Sequence, residues 1–122
     1  MAAQVEERAS SIIREITDGR YTSIRLDENM EVRINTPDKL LRLDQVSRGT
    51  ADQMYFALRM AAGEAFSKGA PMPVILDDAF AMYDDRRLFN TLRWLYKSGR
   101  QVILFTCQTR EEEMLRKIRA GA

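Results

Sequence analysis

No histidine occurs in this chain, and cysteine occurs once, at Cys107. The first absence removes imidazole both as a metal ligand and as a general base, leaving carboxylates as the side chains suited to proton transfer. The second excludes an internal disulfide and fits a reducing cytoplasm. There is no Gly-Lys dipeptide, so no Gly-x-x-x-x-Gly-Lys-Ser/Thr loop can wrap its amides around nucleotide phosphates. The opening Met1-Ala2-Ala3-Gln4-Val5-Glu6-Glu7 lacks the basic-then-apolar order of a secretory leader, and no apolar run approaches the ~20 residues a bilayer requires. The expectation is a soluble cytoplasmic chain with no membrane partner. A dominant charge is missing as well: 19 basic and 18 acidic residues leave +1, so no global field would recruit nucleic acid.

What remains fits one domain, residues 1–122, with room for a single core. Val5, Ala9, Ile12, Ile13 and Ile16 recur at helical spacing, with Glu6, Glu7, Arg8, Arg14 and Glu15 opposite them, which predicts an amphipathic helix ending near Asp18-Gly19. Tyr21–Leu26 and Glu31–Ile34 alternate around the turn-like Asp27-Glu28-Asn29 and predict a β-hairpin closed by Pro37-Asp38. Met54, Ala57, Leu58, Ala61, Ala62 and Ala65 make the stripe of a second helix ending around Lys68-Gly69, followed by a loop bracketed by Pro71 and Pro73. Val74-Ile75-Leu76 and Val102-Ile103-Leu104-Phe105 read as continuous apolar, buried strands. The helix of Leu88, Phe89, Leu92, Leu95 and Tyr96 lies between them, and one carrying Met114, Leu115 and Ile118 follows. That order implies a parallel pair with a right-handed crossover, hence an α/β fold.

Two stretches carry chemistry. Val46-Ser47-Arg48-Gly49-Thr50-Ala51-Asp52-Gln53 is a serine-glycine turn opening a helix, where free N–H groups and the positive dipole end form a seat for phosphate. Pro73-Val74-Ile75-Leu76-Asp77-Asp78 is a strand ending in adjacent carboxylates, one suited to a hydrated Mg²⁺ and one to accept a proton from attacking water. Each has a plainer reading. Ser47 and Thr50 are ordinary helix caps, Asp77 and Asp78 a solvated pair, Asp84 the cap of Asp85-Arg86-Arg87-Leu88, and Cys107 a small buried apolar residue. A receiver-type phosphoacceptor would need its acidic pair on the first strand and a lysine after a late one, and neither is present. A carboxylate-metal nuclease would need more acidic residues at strand ends.

The order Ser-x-Gly-Thr-x-x-Gln, then Ala57-Leu58-Arg59-Met60-Ala61, the apolar-Asp-Asp strand and Ala81-Met82-Tyr83-Asp84 resembles the carboxy-terminal lobe of ABC-type ATPases of the SMC, RecN and SbcC kind. Within that group it is most similar to the YhaN-like bacterial coiled-coil ATPases, from about Ala9 to the last helix. The resemblance implies a P-loop NTPase fold in which residues 1–18 continue from a coiled coil. It implies that Ser47, Arg48, Gly49 and Thr50 form the signature turn, contacting the γ-phosphate of ATP held by an opposite head in a homodimer. Asp77 becomes the Mg²⁺-side aspartate of Walker B and Asp84 the D-loop aspartate linking two sites. Asp78 stands where the family usually has a glutamate general base, and Gln108 where it has the switch histidine. Gln can hydrogen-bond a phosphate but cannot titrate. With no P-loop, the chain alone should not hydrolyse ATP; an amino-terminal Walker A lobe would complete the site, and DNA repair or chromosome handling is the implied setting, with DNA as a further partner. The rival is a non-catalytic interaction module that keeps the fold and docks on a partner protein.

Overall fold

The computed structural model describes residues 2–68, 70 and 72–121. Its elements run α1 (Ala2–Ile16), β1 (Ser23–Leu26), β2 (Val32–Asn35), β3 (Leu40–Arg42), a 3-10 turn (Leu43–Gln45), α2 (Arg48–Ser67), β4 (Val74–Asp77), α3 (Asp85–Lys97), β5 (Val102–Phe105) and α4 (Thr109–Arg119). The predicted face of α1 is the one that packs: Ala9, Ile12, Ile13 and Ile16 are buried. Asp18 (φ 53°) and Gly19 (φ 80°) end that segment in the left-handed region, where glycine is at home and aspartate is tolerated.

α1 also covers a strand edge. Ser10 Oγ accepts from Ile24 N at 2.9 Å, and Glu6 Oε1 accepts from Leu26 N at 2.8 Å, so the outer N–H groups of β1 are satisfied by helix side chains. On its other side β1 pairs antiparallel with β2, from Ser23↔Asn35 to Leu26↔Val32. Asp27 organises the connecting turn by accepting from the backbone of Asn29 and Glu31. The Glu31 bond leads in holding its carboxyl below the ordinary aspartate range.

Pro37-Asp38 does not close the hairpin. It lies in a second turn, where Thr36 Oγ1 accepts from Lys39 N, and the chain returns as β3 antiparallel to β2. A three-residue strand is too short to display a period of two, so its sequence carried no signal. α2 ends as expected, with Lys68 in the left-handed region (φ 52°); Gly69 and Pro71 lie outside the described residues.

β4 and β5 form the expected parallel pair, Val74↔Val102 through Asp77↔Phe105, with α3 as the crossover. Their burial departs from expectation. Leu76 is buried and Val74, Val102 and Leu104 half-buried against the core, but Ile75, Ile103 and Phe105 are 55%, 40% and 58% exposed. Because side chains alternate along a strand and these residues are paired in register, they share one uncovered face with Asp77. The covered face meets an aromatic cluster in which Phe56 packs edge-on against Phe80 and Trp94, at 6.0 and 5.9 Å between ring centres. α1 is tied to this core by a half-buried network in which Glu64 of α2 receives Arg8 of α1 at 2.7 Å and Arg100 at the start of β5.

Candidate functional site

The serine-glycine turn is built as its sequence predicts. Ser47 caps α2 by accepting from Thr50 N at 3.2 Å, and its hydroxyl donates to Thr50 Oγ1 at 3.0 Å. Ser47 and Arg48 are exposed, whereas Gly49 and Thr50 are buried. Gly49 is needed for a close approach: a Cβ there would lie 3.3 Å from the Met82 carbonyl oxygen and 3.3 Å from Arg87 Cδ. Gln53 is buried, with its Nε2 directed at the Ile16 carbonyl at 3.5 Å, so it braces α1 rather than the turn.

Asp84 performs the capping role anticipated for it, accepting from Arg87 N at 2.9 Å at the start of α3. Its second oxygen receives Arg87 Nη1 at 2.6 Å, while Nη2 of the same guanidinium reaches Thr50 Oγ1 at 2.8 Å and Ser47 Oγ at 3.3 Å. One fork therefore joins the serine turn to Asp84. Tyr83 beside it is buried, and that burial, reinforced by Asp52, pushes its hydroxyl well above the ordinary tyrosine range.

Asp77 and Asp78 end β4, both exposed. Asp78 adopts φ 50°, a conformation uncommon for a residue with a side chain, and its N–H extends the ladder to the Phe105 carbonyl at 2.7 Å. Cys107 lies in the loop after β5 with its Sγ 4.0 Å from Asp78 Oδ1; it is exposed, not the small buried apolar residue expected of it, because it stands beyond the strand end. Among the described residues, no cluster of three or more His, Cys, Asp or Glu side chains is arranged to hold a metal ion. Mg²⁺ at a phosphate site takes one or two carboxylates and completes its shell with water and phosphate oxygens, so two exposed carboxylates at a strand end suit it without a protein cage.

No family model matches this chain. The YhaN protein of Bacillus subtilis strain 168, itself uncharacterised, is 32% identical over 106 residues, covering 83% of this chain and 11% of that protein. The chain thus spans about a tenth of that relative's length. Among solved structures, one from a study of ATP-driven dimerisation and DNA-stimulated activation of SMC ATPases superposes with a TM-score of 0.76 at 21% identity, over 92% of this chain and 72% of the other. The SMC head domain from Thermotoga maritima gives 0.70 at 23%, over 91% and 40%. An SMC head bound to the C-terminal winged-helix domain of ScpA gives 0.71 at 18%, over 93% and 37%. The chain is YhaN-like, with the fold of the carboxy-terminal portion of an SMC ATPase head.

Two arginines of this YhaN-like chain hold the predicted site residues and escaped the sequence reading. Arg87 is the first; Arg110 is the second, with Nε donating to Gln108 Oε1 at 2.6 Å, Nη1 to Asp85 at 3.1 Å and Nη2 to the Phe80 carbonyl at 3.1 Å. The structure thus joins Ser47, Thr50 and Asp84 through Arg87, and sets Cys107 beside Asp78 and Gln108 beside Arg110. Arg48 makes no hydrogen bond to a described residue through its side chain. The available signal was spacing: Asp84 and Arg87 are three apart on one helix, a distance at which side chains meet.

Proposed function

We propose that this chain is the carboxy-terminal half of an SMC-like ATPase head, completed by an amino-terminal Walker A lobe and working in ATP-dependent head dimerisation, with DNA repair or chromosome maintenance as its setting. The observation that carries this reading is the arrangement at the β4–β5 pair. Asp77 and Asp78 lie at its carboxyl end, where α/β sheets bind ligands, beside an apolar face that Ile75, Ile103 and Phe105 leave uncovered. A lobe supplying further strands and a phosphate loop would cover that face and bring nucleotide to the carboxylates.

In this reading Ser47, Arg48, Gly49 and Thr50 meet the γ-phosphate of ATP on an opposing head, and Asp84 faces the partner site. Asp77 would hold Mg²⁺, which when bound neutralises charge on the β- and γ-phosphates. Asp78 orients a water and takes its proton as the water oxygen bonds to the γ-phosphorus and the bond to the β-phosphate oxygen breaks. Gln108 donates a hydrogen bond to the phosphoryl oxygens. The glutamine in place of a titrating switch residue favours a second reading, in which the fold docks on a partner without turnover. Joining the chain to its Walker A lobe and measuring ATPase activity separates them. The catalytic reading expects turnover that Asp78→Asn lowers by about a hundredfold with nucleotide binding retained; normal hydrolysis by that variant would remove Asp78 from the mechanism.

A further inference from the structure

Gln108 occupies the cap position of α4, yet its side chain does not cap the helix. Its Oε1 accepts instead from Arg110 Nε at 2.6 Å. Arg110 is itself fixed by Asp85 at the start of α3 and by the Phe80 carbonyl in the segment after β4, each at 3.1 Å. Three separate stretches of chain therefore set where this guanidinium lies, and it is only about a quarter exposed, at 28% of its side chain.

The chemistry of the pair is one-sided. A guanidinium offers donors and no acceptor, so only the carbonyl end of the Gln108 amide can face it. Both N–H groups on Nε2 are then directed away, and they engage no described residue. The loop bearing Gln108 borders the carboxylate at the end of β4, since the adjacent Cys107 Sγ lies 4.0 Å from Asp78 Oδ1. At a phosphate the two amide ends act in opposite senses: N–H stabilises developing negative charge, while C=O repels it.

We propose that Arg110 is a positioning residue for Gln108, locking its amide so that the N–H end and not the carbonyl meets the phosphoryl group. The inference rests on the ATPase-head reading above and assigns to an arginine outside the recognised motifs the task of making a neutral switch residue a dependable donor.

A double-mutant cycle in the head completed by its Walker A lobe tests it. Gln108→Ala should lower kcat by about a hundredfold, the usual effect of removing one preorganised donor. Arg110→Met should lower kcat by about tenfold through loss of orientation when Gln108 is present, and should have no further effect in the Gln108→Ala background. Arg110→Lys, which keeps a donor for Oε1 but loses the fork that Asp85 and the Phe80 carbonyl fix, should recover only part of the loss. Thermal melts run in parallel, because an arginine acting only as a brace would lower stability and kcat equally in both backgrounds. That result, or an Arg110→Met head with unchanged kcat, overturns the proposal while an active wild type leaves the ATPase reading standing. A folded wild-type head without turnover would overturn both.

Discussion

Replacing Glu64 by Gln removes one charge and little volume from the network that ties α1, α2 and the start of β5 together. Glu64 receives Arg8 Nε at 2.7 Å and Arg8 Nη2 at 3.2 Å, with Arg100 against the same carboxylate. The side chains of Arg8, Glu64 and Arg100 are 40%, 26% and 17% exposed, so the network lies between a solvated pair, worth under about 1 kcal/mol, and a fully buried one, whose disruption costs about 3–5 kcal/mol. The glutamine keeps one acceptor but leaves Arg100 short of a counter-charge, and a loss of about 2 kcal/mol follows. At this chain length that corresponds to a fall of roughly 8 °C in melting temperature. Burial alone would raise the Glu64 pKa; the hydrogen bonds and charge of Arg8, joined by Arg100, outweigh it and hold the carboxyl below the ordinary glutamate range. A carboxylate with a depressed folded-state pKa contributes stability that is complete above its unfolded value, about 4.3, and is lost as pH falls through the folded value. Urea denaturation of both chains from pH 7 to pH 3 should therefore show a constant gap down to about pH 5 that closes in more acidic solution. A gap that stays level to pH 3, or none at pH 7, would refute the assignment of the network's strength to this charge.

The fold was legible where the signal is local or periodic. The stripe of α1 needed only the spacing of Ala9, Ile12, Ile13 and Ile16, and the caps at Ser47 and Asp84 follow from serine and aspartate accepting bonds from N–H groups three residues ahead. β3 escaped because its pairing to β2 depends on a turn read as an end, and Leu40-Leu41-Arg42 holds no pattern of its own. Exposure of Ile75, Ile103 and Phe105 was illegible for a different reason: apolar residues in a strand state that a face needs cover, not where the cover comes from. The arginine forks were the hardest part. Arg87 meets Ser47 forty residues earlier, and Arg110 meets Phe80 thirty residues earlier, contacts that only the packed fold creates. The candidate site was thus readable as a list of motif residues, while the side chains that organise those residues were not.

The remaining predictions concern the proposed half-site. Titrated with Mg-ATP by calorimetry, the isolated chain should bind no tighter than about 1 mM, an affinity worth about 4 kcal/mol, because it has no P-loop; tight stoichiometric binding would refute the half-site. Gly49→Ala should fail to give the ~1 kcal/mol that alanine ordinarily adds to a helix, since its Cβ would sit 3.3 Å from the fixed Met82 carbonyl oxygen; a full gain in denaturant melts would contradict that close approach. Ser47→Arg separates the ATPase from the docking module. The substitution removes the acceptor for Thr50 N and one of the Arg87 contacts, but Arg87 keeps Thr50 Oγ1 at 2.8 Å and Asp84 at 2.6 Å, so the fork to α3 survives. Losing the cap costs about 1 kcal/mol, which leaves the domain folded. A second guanidinium beside Arg87 would nevertheless fill the exposed turn and block the approach of an opposing head. In the head completed by its Walker A lobe, light scattering with and without ATP should show dimerisation abolished and turnover lost with it, while a thermal melt shows the fold intact. A docking module would be indifferent to the change, and ATP-dependent dimerisation persisting in the folded variant would remove Ser47 from the interface.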